Sequence, residues 1–232
     1  MDGPDWLIRW VSVFLGGLVF TLTLKADPLS TAAYLIINQG LFISLFCYLL
    51  LPPTNSLVGL LRNSGAGLPL LLALSQLPVA GRVPAEILFR ICVVMLALSL
   101  FLWSLRQLCE ALLPNNPHLR NPLFLLAGLA IFAPVWLGPL VEILQPGDRS
   151  INSIISITPL THFCVAAQYD YLRSEWFYQN SPLGSLPFSY PSLLSIAVVY
   201  LAIVISLQII RWWVTGYHMD GMQPRRHSLT IS

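Results

Sequence analysis

Lysine occurs once in these 232 residues, at Lys25, and charged residues of every kind make up only 9% of the chain. The first scarcity excludes a P-loop nucleotide site, which places a lysine directly after glycine to reach the β/γ-phosphates; Lys25 follows Leu24. ATP-driven work would need a second chain. The second scarcity excludes an ordinary soluble domain, in which about a quarter of the residues are charged. The net charge of +2 is spread along the chain and forms no basic patch for nucleic acid. Cys47, Cys92, Cys109 and Cys164 form no C-x-x-C pair, and the first three lie in or at the ends of apolar runs. This is how small packing residues are distributed, rather than a metal or redox motif.

What the chain has is hydrophobic residues, 56% of the total, and a mean hydropathy of +0.73. A hydrocarbon core about 30 Å thick takes roughly 20 helical residues per crossing, which leaves room for five or six spans and no sizeable external domain. The expectation is an all-α, multi-pass helix bundle over residues 1–232. The first run, Trp10 to Leu24, resembles a secretory leader, but Lys25 stands where a small-residue cleavage site belongs, so a retained helix is expected. The second run, Leu29 to Leu51, stops at Pro52-Pro53 and carries Asn38 and Gln39, amides that should face other helices because lipid offers them no partner. Leu68 to Ala80 is short and holds Pro69 and Pro78, so it either spans or re-enters. If it spans, Arg9, Arg62, Arg106, Arg120, Arg211, Arg225 and Arg226 share one side, against Lys25, Arg82, Arg90, Arg149 and Arg173 on the other. That asymmetry favours about six spans with both termini cytoplasmic, as in a bacterial inner membrane.

The fourth run, Ala85 to Leu105, carries Arg90 about 9 Å from its start at 1.5 Å per residue. A mid-membrane arginine costs about 2.5 to 3.5 kcal/mol, but at this depth it can snorkel, and Glu86 sits one turn back in the favourable order. Arg90 reads either as such an anchor or as an ion or substrate contact. Pro134 and Pro139 predict a kink in the fifth run, Leu123 to Val141; the last, Pro191 to Ile210, ends on the interfacial anchor Arg211-Trp212-Trp213.

The longest connection, residues 145–189, is too rich in aromatics and isoleucine to be a plain solvated loop. Thr158-Pro159 reads as an N-cap followed by proline at the first helical position. Val165, Tyr169, Leu172 and Trp176 then fall at i, i+4, i+7 and i+11. One helical face of that kind, with His162, Asp170, Arg173 and Glu175 as polar groups, predicts an amphipathic interfacial helix before the last span.

Ile157-Thr158-Pro159-Leu160-Thr161-His162-Phe163, followed by Tyr169-Asp170, is similar to the S-P-x-x-H-F then x-D pattern before the last span of gliding-motility and nitrous-oxide-accessory permeases. These belong to the ABC-2 type permeases, the membrane halves of bacterial ABC exporters, which the six-span layout also resembles. Thr158 stands where serine is usual, and Gln168 where glycine is common. The resemblance implies a permease homodimer or heterodimer docked on two ATPase subunits through short cytoplasmic helices. It makes Pro53 to Gly67, with Arg62, the candidate coupling element; the other reading is a plain loop with one topogenic arginine. His162 and Asp170 are candidates for a substrate entrance or, alternatively, solvated groups on a wet helix face.

Other chemistries find no residues. His118, His162, His218 and His227 show no ligand spacing, and no metal, haem or other cofactor is expected. An intramembrane serine hydrolase of rhomboid type needs G-x-S-G, but Arg62 precedes Asn63-Ser64-Gly65, and the spans lack a deep histidine base. Two functional classes remain: a non-enzymatic permease subunit of an ABC exporter, and a structural or assembly subunit of a larger respiratory or photosynthetic membrane complex. Asn38 and Gln39 fit both.

Overall fold

The computed structural model describes residues 11–12, 14–19, 22, 32–50, 71, 83–113, 130, 133, 148–174 and 188–220. Within these residues every regular element is an α-helix: α1 (Ala32–Leu50), α2 (Ala85–Leu112), α3 (Asp148–Ile157), α4 (Pro159–Ala166) and α5 (Leu193–Asp220). Two stretches, Ala85–Leu112 and Leu193–Thr215, are long and apolar enough to cross a membrane. Arg62 and the segment 53–67 lie outside the described residues. So do the segment 68–80, apart from the helical, fully buried Leu71, and the run 123–141, apart from the helical Ala130 and Ala133.

Helix α2 is longer than the expected Ala85 to Leu105, because the chain stays helical through Arg106 and Glu110, which pair at 3.1 Å. At its other end Arg90 meets Glu86 at 2.5 Å. The sixteen positions from Arg90 to Arg106 span about 24 Å of helix, so the charged groups bracket an apolar stretch close to the hydrocarbon thickness. Leu88, Ile91, Met95, Leu98 and Leu102 recur on one face of α2 and are buried. Helix α5 begins where Ser192 caps it, its hydroxyl accepting the Ser195 N–H at 3.1 Å.

Helices α2 and α5 run parallel. The Phe101 ring packs on Tyr200, Ser104 bonds Gln208, and Gln107 bonds Gln208 and Arg211, so the residue numbers rise together along the interface. On its other side α5 presents Leu194, Val198, Leu201, Ile205, Ile209 and Trp212, all at least half exposed. An apolar outer face of this length suits lipid and not water.

Helix α1 is the most enclosed. Leu35, Ile36, Ile37, Leu41 and Ile43 are buried nearly all round it, and so is Gln39. Asn38 lies at the edge and donates Nδ2 to the Tyr34 carbonyl of its own helix at 2.8 Å. The reason for the tight packing is Gly40. A Cβ there would stand 2.5 Å from Phe163 Cε1 and 3.2 Å from Ile91 Cγ2, so only glycine lets α4 sit this close to α1 and α2.

The predicted interfacial helix is not what the chain forms. Helix α4 ends at Ala166, Tyr169 and Leu172 lie in the following turn, and Trp176 is outside the described residues. Thr161, His162, Phe163, Cys164 and Ala166 are buried, so α4 is a short wedge among α1, α2 and α5 rather than a helix with a wet face. The amphipathic helix of this connection is α3, which buries Ile151 and Ile155 and exposes Ser153.

Candidate functional site

The corner between α3 and α4 gathers the residues that carry the sequence resemblance. A helix leaves its last carbonyls without intrahelical partners, and here the next few residues supply them. Thr158 Oγ1 donates to the Ile154 carbonyl at 2.6 Å, Thr158 N–H to Ile155 at 3.3 Å, and His162 Nε2 to Ser156 at 2.7 Å. Pro159, which has no N–H, occupies the first turn of α4. Thr158 does hold the N-cap position, in extended backbone, but its hydroxyl makes no cap bond to α4. It is turned back onto α3 instead.

His162 is fixed by these bonds. A carbonyl only accepts, so Nε2 carries the proton, and Nδ1 accepts from the Tyr200 hydroxyl of α5 at 3.1 Å. The two rings meet edge to face, 5.2 Å apart. Burial pushes the imidazole pKa down, against a smaller upward effect of the Ser156 carbonyl. The result is a neutral histidine with both nitrogens engaged, which joins α3, α4 and α5.

Helix α4 closes with a Schellman motif. Tyr169 N–H bonds the Cys164 carbonyl at 2.8 Å and Gln168 N–H bonds Val165 at 3.2 Å, around a left-handed Gln168 with φ of 56°. Glycine is the relaxed residue for that conformation. The left-handed turn is also why the Val165–Leu172 stripe fails, since it swings the chain off the helix axis.

Asp170 follows this turn and is bound locally. Its Oδ1 accepts from Tyr190 Oη at 2.5 Å and from Arg173 N–H at 3.3 Å, and its Oδ2 lies 3.5 Å from Arg173 Nε. Burial, then Asp170, pushes the Tyr190 phenol pKa up. Tyr171 is buried and shares a hydrogen bond with Thr161 at 2.9 Å. His162 and Asp170 therefore have separate partners: His162 ties α4 to the body of α5, and Asp170 ties the turn to the segment that leads into α5. Cys164 is a buried thiol with its pKa pushed up by burial, the reverse of an activated nucleophile.

A second polar group lies toward the other end of the α2–α5 pair. Gln208 Nε2 donates to Ser104 Oγ at 3.1 Å, and Arg211 donates to Gln107 Oε1 and, at 3.4 Å, to Gln208 Oε1. Ser104 and Gln107 are buried. Between this network and the corner is a cavity of about 480 Å³, walled by α2, α3, α4 and α5 together with Ala130 and Ala133. Among the described residues no group of three or more His, Cys, Asp or Glu could hold a metal ion.

Sequence reasoning singled out His162 and Asp170 but not their partners Tyr200 and Tyr190, nor Gly40, Gln107 and Gln208. Polar Gln107 and Gln208 near the ends of apolar runs were a readable signal; a tyrosine inside a span was not. Comparison with protein-family models, curated proteins and solved structures gives no match.

Proposed function

We propose that the chain is the membrane-spanning permease subunit of an ABC-type exporter, a multi-pass protein of the bacterial inner membrane with no chemistry of its own. It works with a separate ATPase subunit and a second permease copy or paralogue. The observation that carries this reading is the α3–α4 corner, in which Thr158, Pro159, His162, Phe163 and Asp170, the residues at the positions of the family pattern, each have a structural task. Thr158 and His162 close α3, Pro159 opens α4, Phe163 fills the space above Gly40, and Asp170 holds Tyr190. Gln168, placed where the family commonly has glycine, adopts the backbone conformation that glycine suits.

The parallel run of α2 and α5 adds support. Two helices that cross a bilayer in the same direction need an odd number of crossings between them, and the run Leu123 to Val141 is long enough for one. The alternative, a structural or assembly subunit of a larger respiratory or photosynthetic complex, draws on the broad outward apolar face of α5.

Purification of the native complex in mild detergent, with identification of its chains, separates the two. The expected result is a co-purifying nucleotide-binding ATPase, whose attachment Arg62→Glu weakens by on the order of 1 to 3 kcal/mol through like-charge repulsion and lost pairing. An intact complex with no nucleotide-binding chain would overturn the exporter reading.

A further inference from the structure

The cavity beside the corner is of ligand size, and its described lining carries no charge. Its volume of about 480 Å³ falls in the range of small-molecule sites. At about 30 Å³ per water-sized unit it holds on the order of sixteen non-hydrogen atoms. Its described lining consists of aliphatic and aromatic side chains with three polar ones, Thr158, His162 and Tyr200, and no charged residue. The run Leu123 to Val141, which contributes Ala130 and Ala133, is also free of charged residues by sequence. A carboxylate or phosphate inside these walls would be left unpaired, so the occupant has to be neutral.

The mouth is apolar too. Ile157 at the end of α3 and Val199 and Ile203 on the long apolar helix α5 line the cavity and are themselves 67%, 46% and 40% exposed. An opening of this kind admits a ligand from an apolar phase more readily than from water.

The described wall offers little hydrogen bonding. Thr158 Oγ1 donates to Ile154, His162 Nε2 donates to Ser156, and His162 Nδ1 accepts from Tyr200. The Tyr200 oxygen still has lone-pair capacity after donating its proton. That site accepts and does not donate, so it selects a ligand with a hydroxyl over one with an ether, ester or ketone end.

We propose that this cavity binds a neutral, hydroxyl-terminated hydrocarbon lipid drawn laterally from the membrane, its tail against Leu105 and Ile203 and its hydroxyl donating to Tyr200 Oη. The proposal stands on the cavity and needs no particular partner chain.

The test uses the full chain in lipid nanodiscs and a long-chain alkanol bearing a diazirine, with its methyl ether and the matching alkyl carboxylate as controls. The alkanol is expected to label peptides containing Ile154–His162 and Val199–Ile203 saturably. In the unmodified protein it should exceed the methyl ether by roughly threefold to tenfold, the value of one net hydrogen bond. Leu105→Trp and Ile203→Trp fill the space and should each reduce saturable labelling about tenfold or more, equivalent to about 1.4 kcal/mol. Equal labelling by alkanol, ether and carboxylate in the unmodified protein overturns the proposal without recourse to any variant. Undiminished labelling in both tryptophan variants overturns it as well.

Discussion

Gly40→Ala adds one methyl group where α1, α2 and α4 meet. Alanine in a helix is ordinarily better than glycine by about 0.8 to 1 kcal/mol, so a site with free space would gain stability. Here the new Cβ would stand 2.5 and 3.0 Å from two ring carbons of Phe163 and 3.2 Å from Ile91 Cγ2. Phe163 and Ile91 are both fully buried, so neither has room to retreat. Overpacking of this kind costs about 1 to 3 kcal/mol. The upper part of that range applies, since a ring edge has to move by about an ångström, and the net loss is about 1 to 2 kcal/mol. For a chain of this size that lowers a thermal midpoint by roughly 2 to 8 °C, readable as loss of the monodisperse size-exclusion peak after heating in detergent. Phe163→Leu removes the obstructing ring, so the double variant should recover part of the loss and give a non-zero coupling in the double-mutant cycle. A rise in midpoint for Gly40→Ala, or strict additivity with Phe163→Leu, would refute the placement of the wedge.

Gln168→Gly relaxes the left-handed residue by about 1 to 2 kcal/mol but frees the unfolded chain by about 0.5 to 1, so the midpoint should hold or rise slightly, while Gln168→Val should lower it. Because burial holds the His162 pKa below its ordinary 6.5, the unfolded chain takes up the proton first. Stability is therefore full above about pH 6.5 and declines as pH falls from there through the folded-state value; His162→Gln should flatten that slope in a midpoint-against-pH series. Tyr190→Phe removes the bond to Asp170 and should cost about 1 kcal/mol or a little more, whereas Ser189→Ala beside it, exposed, should change the midpoint little. Reporter fusions at Gln145 and at the C-terminus should report opposite sides of the membrane; agreement between them would mean that the span assignment after residue 122 is wrong.

Apolar runs carried most of what was legible in the chain. Runs of twenty residues define helices by length alone, so α1, α2 and α5 emerge near their expected places, and the i,i+4 spacing of Glu86 and Arg90 predicts their ion pair. Gln39 is buried, as a polar residue inside an apolar run was expected to be turned away from lipid. The connection was harder to read, because helical spacing and a helix are different things. Val165, Tyr169, Leu172 and Trp176 fit one face on paper, yet Gln168 takes a left-handed backbone conformation that no side-chain pattern discloses. Long-range partners were also invisible: nothing near His162 in sequence points to Tyr200, 38 positions later, and the need for Gly40 exists only once Phe163 lies over it.

Helix α4 has eight residues, fewer than the 12 to 15 or so at which a helix holds together alone in water. What it lacks in length is made up by neighbours on both sides of it in the chain: Gly40 and Ile91, on which Phe163 packs, come earlier, while Tyr200, which donates to His162, and Tyr190, which holds the turn through Asp170, come later. During synthesis residues 159–174 therefore emerge before the two tyrosines that bond them. The packing of the wedge on α1 and α2 needs nothing later in the chain, but its two hydrogen-bonded ties toward α5 need the final span in place beside α2. A chain arrested before Tyr190 would contain every residue of the corner and lack both tyrosines that tie it to the last span.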